Sequence, residues 1–155
     1  MIGRTDGAVP SGLPAPTKRA IDILEAIPTW PLQLLLRISV GAVFWQSGLV
    51  KIASWQSTLV LFRDEYQVPV IPYNIAACVV ATTELSCPVL LFVGLATRLA
   101  TLPLLGMTAV IGIFIYPEDW VEHLTWTTML LLILIRGPGA FALDTPLRRR
   151  LLPNR

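Results

Sequence analysis

The chain has 155 residues, of which 54 % are hydrophobic and only 14 % are charged, and its mean hydropathy is +0.66. Soluble globular domains are far more polar, so this composition predicts a small protein that crosses a membrane several times. The net charge of +2 is too small for a nucleic-acid-binding domain, and the basic residues cluster at the two ends of the chain rather than along one face.

The N-terminal segment, residues 1–28, is predicted to lie outside the bilayer. Its first 16 residues are rich in glycine and proline and have few large apolar side chains, which is typical of a disordered tail. Between residues 18 and 27, three leucine or isoleucine side chains recur at helical spacing opposite two carboxylates. This pattern favours a short helix that lies at the membrane interface.

The first predicted span covers residues 31–50. At about 100° per residue, Arg37, Gly41, Gly48 and Lys51 fall within one narrow stripe of this helix. We expect the stripe to face the interior of the protein, because it carries an intramembrane cation and two glycines that allow a neighbouring helix to approach. Lys51 lies at the end of the span, where a lysine can extend its ammonium group to the interface.

A second short interfacial helix is predicted after the first span. Trp55, Leu59, Phe62 and Tyr66 form an apolar stripe behind Ser54, which is a suitable N-cap residue. The stretch VPVIP that follows is expected to be extended, because residues before proline avoid the helical conformation.

The second predicted span, residues 73–94, carries one charged residue, Glu84. Ala77 and Ala81 lie on the same side of the helix as Glu84, where small residues let another helix come close. Pro88 removes a backbone donor and crowds the carbonyl group of Glu84, so a kink is expected there. A carboxylate within hydrocarbon is costly unless it is protonated, paired or facing water, so we expect a partner from another span.

The third and fourth predicted spans cover residues 99–116 and 120–136. In the third span, Thr101, Thr108 and Gly112 form a weakly polar stripe that should face inward. The acidic connection PEDWVEH before the fourth span has carboxylates and a histidine at four-residue spacing, which could offer ligands to a metal. Acidic residues are also favoured at a helix start, which is the simpler explanation, so we predict no metal site.

Four spans would place both termini on the same side of the membrane. The two loops on the opposite side carry only Lys51 and Arg63. The basic residues at the termini and at the turn after the second span are Arg4, Lys18, Arg19, Arg98, Arg136, Arg148, Arg149, Arg150 and Arg155. By the positive-inside rule, both termini and the basic tail, residues 145–155, are predicted to be cytoplasmic, with the protein in the inner membrane.

Arg37 and Glu84 are predicted to pair inside the bundle. Counted from the cytoplasmic ends of two antiparallel helices, they lie at depths of about 10 Å and about 15 Å. Each charge alone costs up to about 3 kcal/mol at the membrane centre, so pairing is the simplest inference. The pair has two interpretations that stay open: it fixes the register of the helices, or it binds a polar headgroup or moves protons. Lys51 and Arg98 are further candidates for ligand binding or proton transfer.

Three stretches of the chain carry a family likeness: RISVGAVFWQSGLVKI in the first span, TELSCPVLLFVGLATRLATLPL across the second and third, and RGPGAFALD after the fourth. Together they resemble the DoxX family of small four-helix bacterial membrane proteins. The resemblance implies an all-α, four-transmembrane-helix domain over residues 29–144, with short interfacial helices. The positions that it singles out are Arg37, Gly48, Lys51, Glu84 and Arg98, with Asp144 closing the bundle on the cytoplasmic side.

The resemblance also implies a link to redox chemistry. Some DoxX proteins resemble the quinone-linked subunit of thiosulfate oxidation, or a membrane component of redox-stress complexes with sulfurtransferase-type and superoxide-dismutase-type partners. The stretch LFRDEYQVPVIP is similar to a subgroup associated with metal-stress gene clusters. The family supplies no settled catalytic mechanism, so no residue is assigned as catalytic.

Two functions from different classes follow. The first is a subunit of a quinone-linked oxidoreductase or stress-response complex, which binds a quinone headgroup near Arg37 and Glu84 and acts with a protein partner. The second is a non-catalytic membrane anchor for a peripheral partner, in which the charged pair is purely structural. A permeability factor for small solutes is disfavoured, because four short spans offer no repeat of broken helices.

Overall fold

The computed structural model describes residues 14–26, 28–67, 71–139 and 142–144. All regular elements within these ranges are helical, which confirms the predicted all-α class. The first 13 residues of the predicted disordered tail and the predicted basic tail, residues 145–155, lie outside the described residues. Residues 15 and 16, also predicted to be disordered, are part of the first helix. In chain order the α-helices are α1 (Ala15–Glu25), α2 (Trp30–Ala53), α3 (Trp55–Leu61), α4 (Tyr73–Val93), α5 (Thr97–Val110) and α6 (Trp120–Arg136).

The four longest helices pack side by side in a ring. Helix α2 contacts α4 and α6, and α5 contacts the same two helices from the opposite side. Three segments of this ring are long and apolar enough to cross a bilayer: Trp30–Ala53, Tyr73–Val93 and Thr97–Ile115. The third segment combines α5 with the π-helical turn that follows it. The protein is therefore a multi-pass membrane protein.

Small residues set the spacing of α2 and α4. A Cβ atom added at Gly48 would lie 2.9 Å from Leu85 Cδ2 and 3.1 Å from Glu84 Cβ, and one added at Gly41 would lie 2.6 Å from Phe92 Cε1. Backbones approach this closely only where a side chain is missing. These contacts fix the register of the two antiparallel helices, so that Gly48 is level with Glu84.

Helix α3 packs against the first turns of α4. Phe62, in the π-helical turn after α3, is buried against Ala76 and Ala77, and Tyr66 packs alongside them. The apolar stripe predicted for this segment is therefore confirmed. Ser54 stands at the N-cap position, but its side chain makes no capping hydrogen bond, contrary to the prediction.

The inner stripe of α5 is polar, as its sequence predicts. Thr101 and Thr108 are buried, and each hydroxyl donates to a backbone carbonyl of its own helix, that of Arg98 at 2.7 Å and that of Leu104 at 2.8 Å. These local hydrogen bonds satisfy the hydroxyl groups inside the bundle. Helix α4 continues through Pro88 without ending there.

Asp144 holds the segment after α6 against the turn between α4 and α5. Its carboxylate accepts hydrogen bonds from the backbone N–H groups of Ala96 at 2.7 Å and Thr97 at 2.9 Å. Its own backbone N–H donates to the Gly94 carbonyl at 2.9 Å. Asp144 thus caps the start of α5 from a distant part of the chain, with a negative charge where the helix dipole favours one.

Replacing Asp144 with alanine is expected to lower the free energy of unfolding by about 1–3 kcal/mol, because two backbone donors at the start of α5 lose a charged acceptor. Thermal unfolding of the purified protein in detergent measures the effect. Asp64→Ala is a matched control, since Asp64 pairs with the exposed Arg63 on the surface and should contribute little. An equal response of the two variants would contradict the capping role of Asp144.

Candidate functional site

A buried ion pair joins α2 to α4. The Nζ atom of Lys51 lies 2.9 Å from both carboxylate oxygens of Glu84, and the side chains are only 10 % and 3 % exposed. Ser47 completes the group, since its hydroxyl accepts from Lys51 Nζ at 2.8 Å and donates to Glu84 Oε1 at 3.2 Å. The three side chains therefore form one hydrogen-bonded group inside the bundle, in which Glu84 Oε2 lies close to Lys51 Nζ but accepts no hydrogen bond from the described residues.

The backbone around Gly48 explains why these side chains meet. Ser47 and Lys51 are one helical turn apart and lie on the same side of α2, with Gly48 beside them. The missing side chain at Gly48 lets α4 come close enough for the Glu84 carboxylate to reach both groups. Thr58 fixes the end of α2, because its hydroxyl donates to the Lys51 carbonyl at 3.0 Å.

Arg37 does not pair with Glu84, so the predicted pairing is wrong. The Arg37 guanidinium lies beside Gly94, where an added Cβ atom would overlap its Nη1 atom, and it is within electrostatic range of Asp144. Gly94 follows Glu84 by ten residues, which at 1.5 Å per residue places Arg37 about 15 Å away along the bundle. Arg37 is buried at this end of the fold, together with Ala142.

The error lies in the assumed helix ends. The sequence count places the start of α2 level with the end of α4. In the structure the first turns of α2 extend past Gly94 and pack against the segment after α6, where a Cβ atom at Gly139 would lie 3.1 Å from Gln33 Cβ. This overhang shifts α2 by about two turns and brings Lys51, rather than Arg37, to the depth of Glu84.

Arg98 also lies at the end of the bundle opposite Lys51. It is exposed, and its Nη2 atom donates to the Ile135 carbonyl at 3.3 Å, beside Gly137. A cation at the C-terminal end of a helix is favourable, because the last carbonyl groups have no partner within the helix. In the structure Arg98 therefore ties the start of α5 to the end of α6, away from the buried ion pair.

Lys51 borders an apolar groove of about 320 Å³ between α4 and α5. Phe62, Tyr66 and Thr83 also line this groove. The remaining walls are almost entirely apolar and include Ile75, Val79, Val80, Pro103, Gly106 and Val110.

A second, more polar cavity of about 740 Å³ opens on the other side of Lys51. We call it the polar cleft. Lys51 and Tyr66 border both cavities, so the ion pair lies where an apolar groove and a polar cleft meet. The other polar side chains of the cleft are Gln46, Ser47, Ser54, Ser57, Thr58 and Glu122.

Tyr66 connects this meeting point to the protein surface through Tyr116. The two phenol rings meet edge to face with their centroids 5.9 Å apart, and the Tyr116 hydroxyl donates to the exposed Glu65 carboxylate. Burial raises the pKa of Tyr66; the Tyr116 hydroxyl partly offsets this rise, and the negative charges of Glu84 and Glu65 add to it. The hydrogen bond to Glu65 raises the pKa of Tyr116.

Sequence reasoning missed Tyr116 and Glu65 as neighbours of the site. They lie far apart in the chain, and each is an ordinary surface residue type at a helix end. The one available signal was the apolar stripe that ends at Tyr66, because a buried tyrosine needs a partner for its hydroxyl group.

The acidic connection before α6 forms no cluster of metal ligands. His123 is buried, its Nδ1 atom lies 2.8 Å from the Asp119 carbonyl oxygen, and its ring packs edge to face on Trp126. Among the residues that the structure describes, no three histidine, cysteine or acidic side chains converge.

The comparison with protein families agrees with these observations. The family model described as DoxX matches residues 32–117, which is more than half of the chain and includes Lys51, Glu84 and Tyr116. No curated protein and no solved structure matches the chain. The family match covers three of the four helices in the ring and both partners of the buried ion pair, and the chain therefore belongs to the DoxX family.

Proposed function

We propose that this DoxX protein is an inner-membrane subunit that binds a quinone-type ligand and acts with a redox partner protein. The headgroup of the ligand lies at Lys51 and Tyr66, and its apolar tail lies in the groove between α4 and α5. One observation carries the proposal: a lysine held by a buried carboxylate forms the polar end of an otherwise apolar groove.

The side chains at this end fit a quinone headgroup. Its carbonyl oxygens need hydrogen-bond donors, which the Lys51 ammonium and the Tyr66 and Thr83 hydroxyls supply. Glu84 and Ser47 hold the ammonium group in place, and Glu84 can also exchange a proton with it. A bound quinone supplies chemistry that takes up two electrons and two protons.

Two of the four candidate residues enter this proposal and two do not. Lys51 lines the groove and is held there by Glu84, whereas Arg37 and Arg98 lie at the opposite end of the bundle. The separation supports a division of roles between the two ends. One end binds the ligand, and the other end locks the helices together.

We also propose that α6 is a fourth span and that both termini are cytoplasmic. Helix α6 has 17 residues, about 25 Å of helix, and a modest mismatch with a hydrocarbon core of about 30 Å is tolerated by local thinning of the bilayer. It packs between α2 and α5 in the ring. The excess of arginine and lysine at the termini then places Lys51 and the polar cleft toward the outer face of the membrane.

A membrane anchor for a peripheral partner is the second candidate function. The mutual pairing of Lys51 and Glu84 favours it, because two buried charges that neutralise each other need no ligand to do so. Purification from native membranes in mild detergent separates the two functions, if mass spectrometry then identifies bound lipid-soluble cofactors and co-purifying proteins. Stoichiometric quinone supports the first function, and a partner protein without any quinone supports the second.

Filling the groove tests the position of the tail. Gly106 faces the groove, and an added Cβ atom there meets no atom within 4 Å, so Gly106→Leu should fold normally. We expect this variant to bind decylubiquinone at least about tenfold more weakly than the wild type, as measured by titration in detergent, since a tenfold loss corresponds to about 1.4 kcal/mol of lost contacts.

Ala109→Leu is the matched control for the groove. Ala109 is exposed on the same helix, one turn from Gly106, but does not line the groove. Its substitution should leave decylubiquinone binding unchanged. Equal binding by both variants and the wild type would place the tail elsewhere.

A further inference from the structure

The proposed function leaves open how protons reach a headgroup at the buried end of the groove. We propose that Glu65, Tyr116 and Tyr66 form a proton path between the protein surface and that end. This inference rests on the proposed quinone site and assigns a role to three residues that do not hold the ion pair.

The geometry gives the order of the path. Tyr66 borders the apolar groove together with Lys51, and the path begins at its hydroxyl. The Tyr116 ring packs edge to face on the Tyr66 ring, the two hydroxyl groups interact with each other, and the Tyr116 hydroxyl donates to Glu65. Glu65 is exposed and exchanges protons with water. Three hydroxyl or carboxyl groups therefore lead in sequence from the groove to the surface.

The groups around Tyr66 suit a relay through neutral phenols. The Tyr66 side chain is close to Lys51 of α2, Glu84 of α4 and Glu65 of its own segment. It also meets Tyr116 in the connection after α5, and Glu122 of α6 lines the polar cleft that Tyr66 borders. The pKa values of both tyrosines are raised, Tyr66 first by burial and Tyr116 first by its hydrogen bond to Glu65. Both phenols consequently stay protonated at physiological pH.

Each transfer leaves the phenols unchanged. For outward movement, Tyr66 oxygen accepts a proton from the ligand hydroxyl while its own O–H bond breaks toward Tyr116. Tyr116 passes its proton to the Glu65 carboxylate, to which it already donates a hydrogen bond, and Glu65 releases the proton to water. Two such transfers carry away the two protons that the quinol releases when it is oxidised. The redox partner of the proposed function accepts the two electrons. Inward movement reverses these steps.

The test uses the full-length protein in a bilayer tethered to a gold electrode, with decylubiquinone as the probe and the electrode in the place of the redox partner. Tyr116→Phe should bind decylubiquinone as the wild type does, because Tyr116 does not border the groove. We expect its proton-coupled electron-transfer rate to fall at least about tenfold, and imidazole in the buffer to restore the rate. Glu65→Gln should behave similarly, whereas Tyr73→Phe, at the start of α4, is the control and should match the wild type.

The outcomes separate the path from the binding site. Normal binding with a slowed, rescued rate and an altered solvent deuterium isotope effect supports the path. Normal binding with an unchanged rate overturns it, while the proposed quinone site stands. Absence of decylubiquinone binding by the wild type overturns the quinone site and the path together.

Discussion

Lys51→Met should destabilise the protein strongly, whereas the double variant Lys51→Met/Glu84→Leu should be about as stable as the wild type. Removal of one partner leaves the other charge buried and unpaired, which costs about 3–5 kcal/mol. Replacement of both partners by apolar side chains of similar volume is often neutral, because no buried charge remains. Both side chains are buried in the structure, so these magnitudes apply here.

Denaturation of the purified variants in mixed micelles measures this effect, with Lys18→Met as a control on an exposed lysine of α1. The double variant is also the sharpest test of function, since it keeps the fold and removes the polar end of the groove. Loss of decylubiquinone binding by the stable double variant supports the ligand site. Retention of binding would contradict the site, and equal stability of the single and double variants would contradict the burial of the pair.

Gly94→Ala should be the most damaging small substitution outside the ion pair. Gly94 has a φ angle of +73°, which costs a residue with a Cβ atom about 1–2 kcal/mol. The added Cβ would also overlap the Arg37 guanidinium and lie 2.7 Å from Ala142 Cα, and such overpacking costs about 1–3 kcal/mol more.

Alanine at position 106 should change the free energy of unfolding in the opposite direction. Gly106 lies within α5 and has open space around it, so Gly106→Ala should stabilise the helix by about 0.5–1 kcal/mol. Thermal unfolding of the two variants in one detergent compares them directly. A similar shift for both would show that Arg37 and Ala142 do not pack on Gly94.

The helices were predictable from the sequence because long apolar runs, prolines and glycines determine where each helix begins and ends. The observed bounds of α2, α4 and α6 and of the extended α5 segment differ from the predicted spans by at most three residues. The inward-facing stripe of α2 was also visible, since Arg37, Gly41, Gly48 and Lys51 recur at helical spacing and are buried. Periodicity within one helix therefore gave the correct face.

The partners across helices were not predictable in the same way. Pairing depends on how far one helix slides along another. A slide of about two turns moves the position of α2 that is level with Glu84 from one closer to Arg37 to one closer to Lys51. The slide is set by close contacts at Gly41 and Gly48 and by the overhang of α2. The length of a predicted span contains no information on these contacts or on the overhang.

The contact between Tyr116 and Glu65 was also not predictable, because the apolar stripe that ends at Tyr66 does not say which residue meets that tyrosine. It brings together the segment after α3 and the connection after α5, and it depends on the side-by-side arrangement of α4 with both of them. The family resemblance singled out charged residues and Gly48, and no tyrosine.

The cap that Asp144 provides has a consequence for biogenesis. A membrane protein is inserted from its N-terminus during translation, and α5 enters the bilayer before Asp144 has been synthesised. The backbone N–H groups at the start of α5 therefore lack their carboxylate acceptor until α6 and the segment after it have left the ribosome. Nascent chains arrested before residue 142 should consequently be better substrates for membrane quality-control proteases than chains that already include Asp144.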